Sequence, residues 1–251
     1  MFAEDEAALL LEAAREGRDL TRMLVERQAG SPLEQVLGWA EFRGLRIYVD
    51  PGVFVPRART SFMVDQALAH LASRGPASPV VLDLCCGSGA AGAALEQALP
   101  GAEVHAADLD PRSVDCARRN LAHPGLVVEG DLFAPLSRSL RGRFDVILAN
   151  APYVPTDEIA FMPQEARVYE PRSALDGGAD GLRIQARIAR EAPGWLAPGG
   201  LLLIETSVRQ ASRTRALLDD AGLRASIEHS DEVDATVALG VHLEIHPLTH
   251  P

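Results

Sequence analysis

The chain has 251 residues, 47% hydrophobic and 24% charged, a globular composition long enough for one large domain or one domain with a small appendage. Its net charge is −11 and all 24 basic residues are arginine, which argues against broad affinity for nucleic acid. No run of about 18 uncharged apolar residues occurs, and the acidic start MFAEDEAALLLEAAREG lacks the basic region of a signal peptide.

Residues 4–28 carry Leu9, Leu10, Ala13, Ala14, Leu20, Leu24 and Val25 at roughly helical spacing, which predicts one or two amphipathic helices. Gly30-Ser31-Pro32 breaks this run and starts a short helix over 32–38. Residues 41–49, EFRGLRIYV, predict two short strands bent at Gly44. Pro51-Gly52 and Pro56 mark a loop, a helix is expected over about 60–73, and Gly75-Pro76 closes this first region. From residue 79 strands and helices alternate. Strands are expected at 79–84, 103–108, 126–129, 144–149 and 200–205, and helices at 88–99, 111–122, about 180–193 and 207–221. Near-continuous apolar strands separated by helices predict an α/β fold with a parallel sheet covered on both faces. Residues 223–230 and 235–246 predict two more strands, forming an antiparallel hairpin at the sheet edge. Cys85, Cys86 and Cys116 make neither a disulfide framework nor a zinc spacing; the adjacent pair at a strand end reads as reduced packing residues of a cytoplasmic protein.

Residues 81–92, VLDLCCGSGAAG, run from a strand through a glycine turn into a helix. Glycines let a ligand approach the backbone, and a helix N-terminus offers free N–H groups. About 20 residues later the second strand ends in Asp108, where a carboxylate can accept both hydroxyls of a ribose. Asp110-Pro111 reads as a helix N-cap followed by its first residue. A nicotinamide dinucleotide and S-adenosylmethionine compete for this loop, since Gly87-Ser88-Gly89-Ala90-Ala91-Gly92 fits the dinucleotide spacing. Asp83, at the strand end, favours S-adenosylmethionine: it would repel a pyrophosphate but pair with an ammonium.

Asn150-Ala151-Pro152-Tyr153, at the end of the fourth strand, resembles the Asn-Pro-Pro-Tyr signature of amino- and amide-methyltransferases. Together with Asp83, Gly87-Ser88-Gly89 and Asp108 it resembles a class I methyltransferase. More narrowly, the chain is similar to the protein-glutamine N5-methyltransferases that modify peptide-chain release factors. The segments that carry this likeness are Gly44-Leu45, 53–57, Gly130-Asp131-Leu132-Phe133, 169–182 and 205–210, within a span of about 32–245.

The resemblance implies a class I, Rossmann-like doubly wound sheet, mostly parallel with an antiparallel edge hairpin, and a small N-terminal helical appendage. It implies a division into a substrate-recognition region at 1–75 and a catalytic domain at 76–251. It further implies S-adenosylmethionine as cofactor, no metal, and a glutamine-bearing protein, such as a release factor, as partner. Carried over by position, Asp83, Cys85, Gly87 and Gly89 form the cofactor loop, and Asp108 with Leu109 the ribose end. Asp131 and Leu132, with Phe133, form the adenine edge and wall. Asn150, the Ala151 carbonyl, Pro152 and Tyr153 form the acceptor-amide site, with Asn150 also bordering the cofactor. Ordinary salt bridging is expected of Glu165, Glu170 and Arg172, and Glu205 is expected to pack beneath the site.

Several positions depart from the family pattern. Ala151 replaces the first proline of the signature, which is expected to loosen the loop. Cys85 stands where a glycine is common, and Arg59 where the segment Pro-Arg-Pro-Glu-Thr-Glu has an acid. The N-terminal region is shorter than the usual helical domain. Other amide or amine acceptors, an exocyclic amine of a nucleic acid, a nicotinamide oxidoreductase, and a binding module without turnover therefore stand as alternatives.

Overall fold

The computed structural model describes residues 3–243. Helices α1 (Ala3–Arg15), α2 (Leu20–Gln28) and α3 (Leu33–Leu37) close around Leu10, Ala13, Met23, Leu33, Val36 and Leu37. The N-terminal run is thus two helices, broken at Gly17 (φ +97°) and restarted by Asp19, whose side chain caps the Arg22 N–H. Strands β1 (Trp39–Phe42) and β2 (Leu45–Tyr48) form the expected hairpin across Arg43-Gly44. Helix α4 (Thr60–Arg74) buries Met63, Val64, Ala67 and Leu71 in the same apolar cluster as the main sheet.

That sheet has seven strands: β3 (Val80–Leu84), β4 (Glu103–Asp108), β5 (Val127–Glu129), β6 (Phe144–Ala149), β7 (Leu196–Thr206), β8 (Leu223–Ser230) and β9 (Ala235–His242). Their order is β5-β4-β3-β6-β7-β9-β8. β3 through β7 run parallel, and β9 enters antiparallel between β7 and β8. β3 is buried along its whole length because it lies between two apolar layers, which is why its sequence shows no alternation. Helices α5 (Ala90–Ala98) and α6 (Pro111–Asn120) join α4 on one face. Helix α8 (Arg183–Glu191) packs on the other face with Phe133 and Trp195, and α9 (Ala211–Asp220) contributes Leu218 there.

The expected strands and hairpin are present, although 244–246 of the last expected strand lie outside the described residues. Some boundaries moved. β7 begins at Leu196, which pairs with Phe144 before a register shift; Pro198-Gly199-Gly200 hides this early start by interrupting the apolar run. Helix α5 starts at Ala90 because Gly89 takes φ +78°, and α9 starts at Ala211 because 207–210 form a turn. Between β6 and α8, where no helix or strand was named from the sequence, lie a 3-10 segment (Thr156–Phe161) and α7 (Gln164–Tyr169).

The chain runs β3, β4, β5 toward one edge and then returns to β6 on the opposite side of β3. This reversal opens a crevice at the carboxyl ends of β3 and β6, the position where open α/β sheets take ligands.

Candidate active site

One cleft at this reversal is lined by Asp83, Cys85, Gly87, Asp108, Leu109, Asp131 and Leu132 on one side and by Asn150, Ala151, Pro152 and Tyr153 on the other. Phe54, Arg57, Arg59, Thr60 and Met63 border it as well. Of the residues expected to form the cofactor and acceptor sites, Gly89 and Phe133 do not line it: Phe133 is buried in the core beneath, stacked on Trp195 with ring centroids 5.6 Å apart. A Cβ on Gly89 would meet Ala117 at 3.0 Å, so this glycine serves the approach of α5 to α6.

The β3–β4 side of the cleft is acidic and buried. Asp83 is 3% exposed, and its Oδ2 accepts the Gly92 N–H at 2.8 Å. A Cβ on Gly92 would stand 3.2 Å from that oxygen, so this glycine lets α5 come close enough to the end of β3 for the hydrogen bond. The first turn of α5 thus already gives a donor to an anion. Burial pushes the Asp83 carboxyl up to about 7 against the Gly92 hydrogen bond, and the Asp108 charge pushes the same way as burial. Asp108 accepts the N–H groups of Gly87 and Asp110, each at 2.9 Å, so it holds the turn in shape as well as facing the cleft. Burial also raises its pKa. A cation beside this pair would relieve both carboxyls, whereas a pyrophosphate would be repelled. The buried Asp83 carboxyl fits the ammonium of S-adenosylmethionine and would repel the pyrophosphate of a nicotinamide dinucleotide.

Two lining residues are held in the left-handed region without being glycine. Cys85 has φ +57° and Leu132 φ +51°. The Cys85 departure therefore falls where the backbone wants a glycine. Burial pushes both the Cys85 and Cys86 thiols up, so they are protonated packing groups. The Asp131 carboxylate is held by both terminal nitrogens of Arg187 on α8, at 3.0 and 2.8 Å. The sequence reading missed Arg187; its one signal was a basic residue on a helix expected to cover the sheet.

The Asn150–Tyr153 side of the cleft hangs on the end of β6. Tyr153 is fixed at its backbone, where the Gln210 Nε2 donates to its carbonyl at 2.9 Å, and Val154 pairs with the segment around Leu175–Gly177. Gly181 packs directly against this point: a Cβ there would lie 2.2 Å from the Tyr153 carbonyl oxygen and from Gln210 Nε2. The long segment 175–181 is thus the buttress of the signature. Ala151 is only 1% exposed, so the loop expected to loosen is buried and tied on its following residues.

Beneath the signature lies Glu205, 1% exposed, at the end of β7. Its Oε2 accepts the Thr60 hydroxyl at 2.7 Å, and its Oε1 faces Arg59 Nε at 3.2 Å. Arg59 Nη2 donates to the Tyr153 hydroxyl at 2.9 Å, and that hydroxyl points to Glu205 Oε1 at 3.4 Å. Burial pushes the Tyr153 phenol up to about 12, so it stays protonated. Asn150 Nδ2 donates to Thr60 Oγ1 at 3.2 Å. Among the described residues nothing bonds to Asn150 Oδ1 or to the Ala151 carbonyl. Thr60 follows Arg59 in the segment noted for its departure from the family pattern, but no local feature gave it a role. Glu165, Glu170 and Arg172 are ion-paired as expected, with Arg27 at 2.7 Å, Arg57 at 2.6 Å and Asp176 at 3.4 Å.

The family described as Methyltransferase small domain matches residues 44–178. The release factor glutamine methyltransferase of Geobacter sulfurreducens is 40% identical over 205 residues, covering 80% of this chain and 70% of that protein. The protein of the same name from Bifidobacterium longum is 37% identical over 222 residues, covering 83% and 75%. A methyltransferase structure from Pyrococcus furiosus shares the fold, with a TM-score of 0.57 at 17% identity over 89% of this chain and 98% of that one. With a cleft that fits S-adenosylmethionine and a signature loop facing it, the chain belongs to the release factor glutamine methyltransferase family, enzymes of class I methyltransferase fold.

Proposed function

We propose that the chain methylates the side-chain amide nitrogen of a protein glutamine, with a peptide-chain release factor as substrate. The observation that carries this reading is a pair of uncommitted acceptors, Asn150 Oδ1 and the Ala151 carbonyl, between the acidic cofactor loop and the Tyr153 ring. S-adenosylmethionine, when bound, supplies an electrophilic methyl group. Asp83 would hold its ammonium, Asp108 its ribose hydroxyls, and Asp131 with Leu132 its adenine.

An amide nitrogen is a poor nucleophile because its lone pair is delocalised. Two acceptors that take its two N–H groups orient that lone pair toward the methyl group. Both hydrogen bonds strengthen as the nitrogen becomes positive, so they stabilise the transition state more than the ground state. The flat Tyr153 ring supports the planar amide and the growing charge. After transfer the nitrogen releases one proton to solvent.

Residues 1–75 serve substrate recognition in this reading and 76–251 catalysis; Arg59 and Thr60 bring the first region to the acceptor site. A cytoplasmic location is supported by three unpaired thiols. Among the described residues no helix is long and apolar enough to cross a membrane. A second acceptor class, another amide or amine, is favoured by Arg59 standing where the family pattern has an acid.

The test is incubation with methyl-labelled S-adenosylmethionine and a bacterial release factor, with the label mapped by peptide mass spectrometry. Label on the glutamine of the Gly-Gly-Gln loop supports the reading. Calorimetric cofactor binding without that label moves the acceptor to the second class, or to a domain without turnover.

A further inference from the structure

The buried Glu205 has no direct contact with the acceptor position, yet hydrogen bonds lead from it to both arms of the acceptor site. As a carboxylate paired with a guanidinium, Glu205 can only accept hydrogen bonds. The Thr60 hydroxyl, 2.7 Å from Oε2, must therefore spend its single proton on Glu205. Its lone pairs are then all it can offer to Asn150, 3.2 Å away. Asn150 must answer with a donor, Nδ2, and that leaves Oδ1, the acceptor, for the cleft. On the other arm, Oε1 and Arg59 hold the Tyr153 hydroxyl between them and fix the edge of its ring.

We propose that Glu205, acting through Thr60, is the positioning residue that sets the hydrogen-bond polarity of Asn150, and so makes the cleft select a group that donates two N–H bonds. Thr60 passes on that polarity. Arg59 balances the buried charge and holds Tyr153 in register. This rests on the amide-acceptor reading above and explains how the site turns away an acceptor that brings only lone pairs, such as a carboxylate. A carboxylate would meet Asn150 Oδ1 and the Ala151 carbonyl with no proton to give either of them.

The relay has a signature that a merely structural contact lacks. In Glu205→Gln the shape is kept, but Arg59 Nε still needs an oxygen at Oε1, which turns the new NH₂ group onto Thr60. Thr60 must then donate to Asn150, and Asn150 turns its NH₂ toward the cleft. The polarity of the site is inverted. Thr60→Val keeps the volume and cuts the relay, while Thr60→Ser keeps the hydroxyl.

The experiment pairs turnover on the release-factor glutamine with hydrogen exchange of the Asn150 side-chain NH₂ group, read by NMR and assigned by its loss in Asn150→Asp. Thr60→Val and Glu205→Gln should each lower kcat by about 10- to 100-fold, as when the partner that orients a ligand is lost, with cofactor Kd unchanged within about twofold. Thr60→Ser should recover most of the loss. The double variant Thr60→Val/Glu205→Gln should be no slower than Glu205→Gln alone, because both cut one chain. Exchange of the Asn150 NH₂ group should be slow in the parent and in Thr60→Ser and fast in Thr60→Val. Equal exchange and equal kcat for Thr60→Val and Thr60→Ser would overturn the relay, as would additive losses in the double variant. If the parent transfers no methyl group to glutamine, the acceptor reading fails while the exchange data still decide the relay.

Discussion

Replacing Asp83 by Asn should make the protein more stable at pH 8 and unable to hold its methyl donor. Burial pushes this carboxyl from an ordinary 3.8 up to about 7, so the folded chain keeps a proton that the unfolded chain has released. The sign follows from linkage. Between about pH 4 and pH 7 the native state binds more protons, so the stability contributed by neutral Asp83 is full below pH 4 and is lost as pH rises to 7. A difference of about three pKa units corresponds to at most about 4 kcal/mol. Asn keeps an oxygen for the Gly92 N–H and carries no charge, so the variant should gain on the order of 1–4 kcal/mol at pH 8 and almost nothing at pH 4.5. Denaturant unfolding of both proteins at the two pH values measures this. In the parent, a bound cation must drive off the Asp83 proton. Its affinity for S-adenosylmethionine should therefore fall up to about tenfold per pH unit below 7. Calorimetry at pH 5.5, 6.5 and 8 reads that slope. A stability difference independent of pH, or an affinity flat over this range, would refute the account of Asp83 as a carboxyl kept for a cation.

Cys85→Gly should raise the denaturant midpoint, because a left-handed backbone costs a side chain about 1–2 kcal/mol and glycine gives back part of that as chain entropy. A net gain of about 0.5–1 kcal/mol is expected, with cofactor binding intact; a loss would mean that the thiol's packing outweighs the strain at φ +57°. Gly181→Ala should destabilise by about 2 kcal/mol or more, since its methyl group would stand 2.2 Å from the Tyr153 carbonyl oxygen. Its kcat should fall further than its cofactor affinity, because the displaced element is the acceptor loop; unchanged kcat would count against the buttress. Asp108→Ala should weaken cofactor binding by about 1–3 kcal/mol, the worth of hydrogen bonds to a charged group. An unchanged calorimetric Kd would remove Asp108 from the site.

The β3–β4 side of the cleft, where we propose the cofactor sits, was legible in the sequence because local pattern carries it. Asp83 and Asp108 sit at the carboxyl ends of apolar strands, with Gly87 in the turn after the first, and strand ends follow from the run of buried residues. Even there the spacing alone was ambiguous. Gly92 belongs to a dinucleotide pattern by position, and its partner, the Asp83 carboxyl 2.8 Å from its N–H, is visible only in the fold. Gly89 counts as a loop glycine by position but as a packing glycine in space. The proposed acceptor side was marked in the sequence by its signature, whereas its support was not. Thr60 and Glu205 are 145 residues apart, and only the packing of α4 across the ends of β6 and β7 brings them together. Arg59 was visible as a departure from the family pattern, but its partners, Glu205 and Tyr153, are 146 and 94 residues away. The helical turns between β6 and β7 escaped notice because Pro155, Pro163 and Pro171 read as loop punctuation, whereas each stands just before a helical turn as its N-cap.

The role proposed for Asn150 is to hold the acceptor amide and not the cofactor. Single-turnover methyl transfer by the parent and by Asn150→Ala, at saturating S-adenosylmethionine and release factor, tests it most directly when paired with calorimetric Kd values for the cofactor. The account predicts a rate lower by about 100-fold or more, as for loss of a group that acts mainly in the transition state, with Kd nearly unchanged. Equal rates, or a loss of rate matched by an equal loss of cofactor affinity, would contradict it.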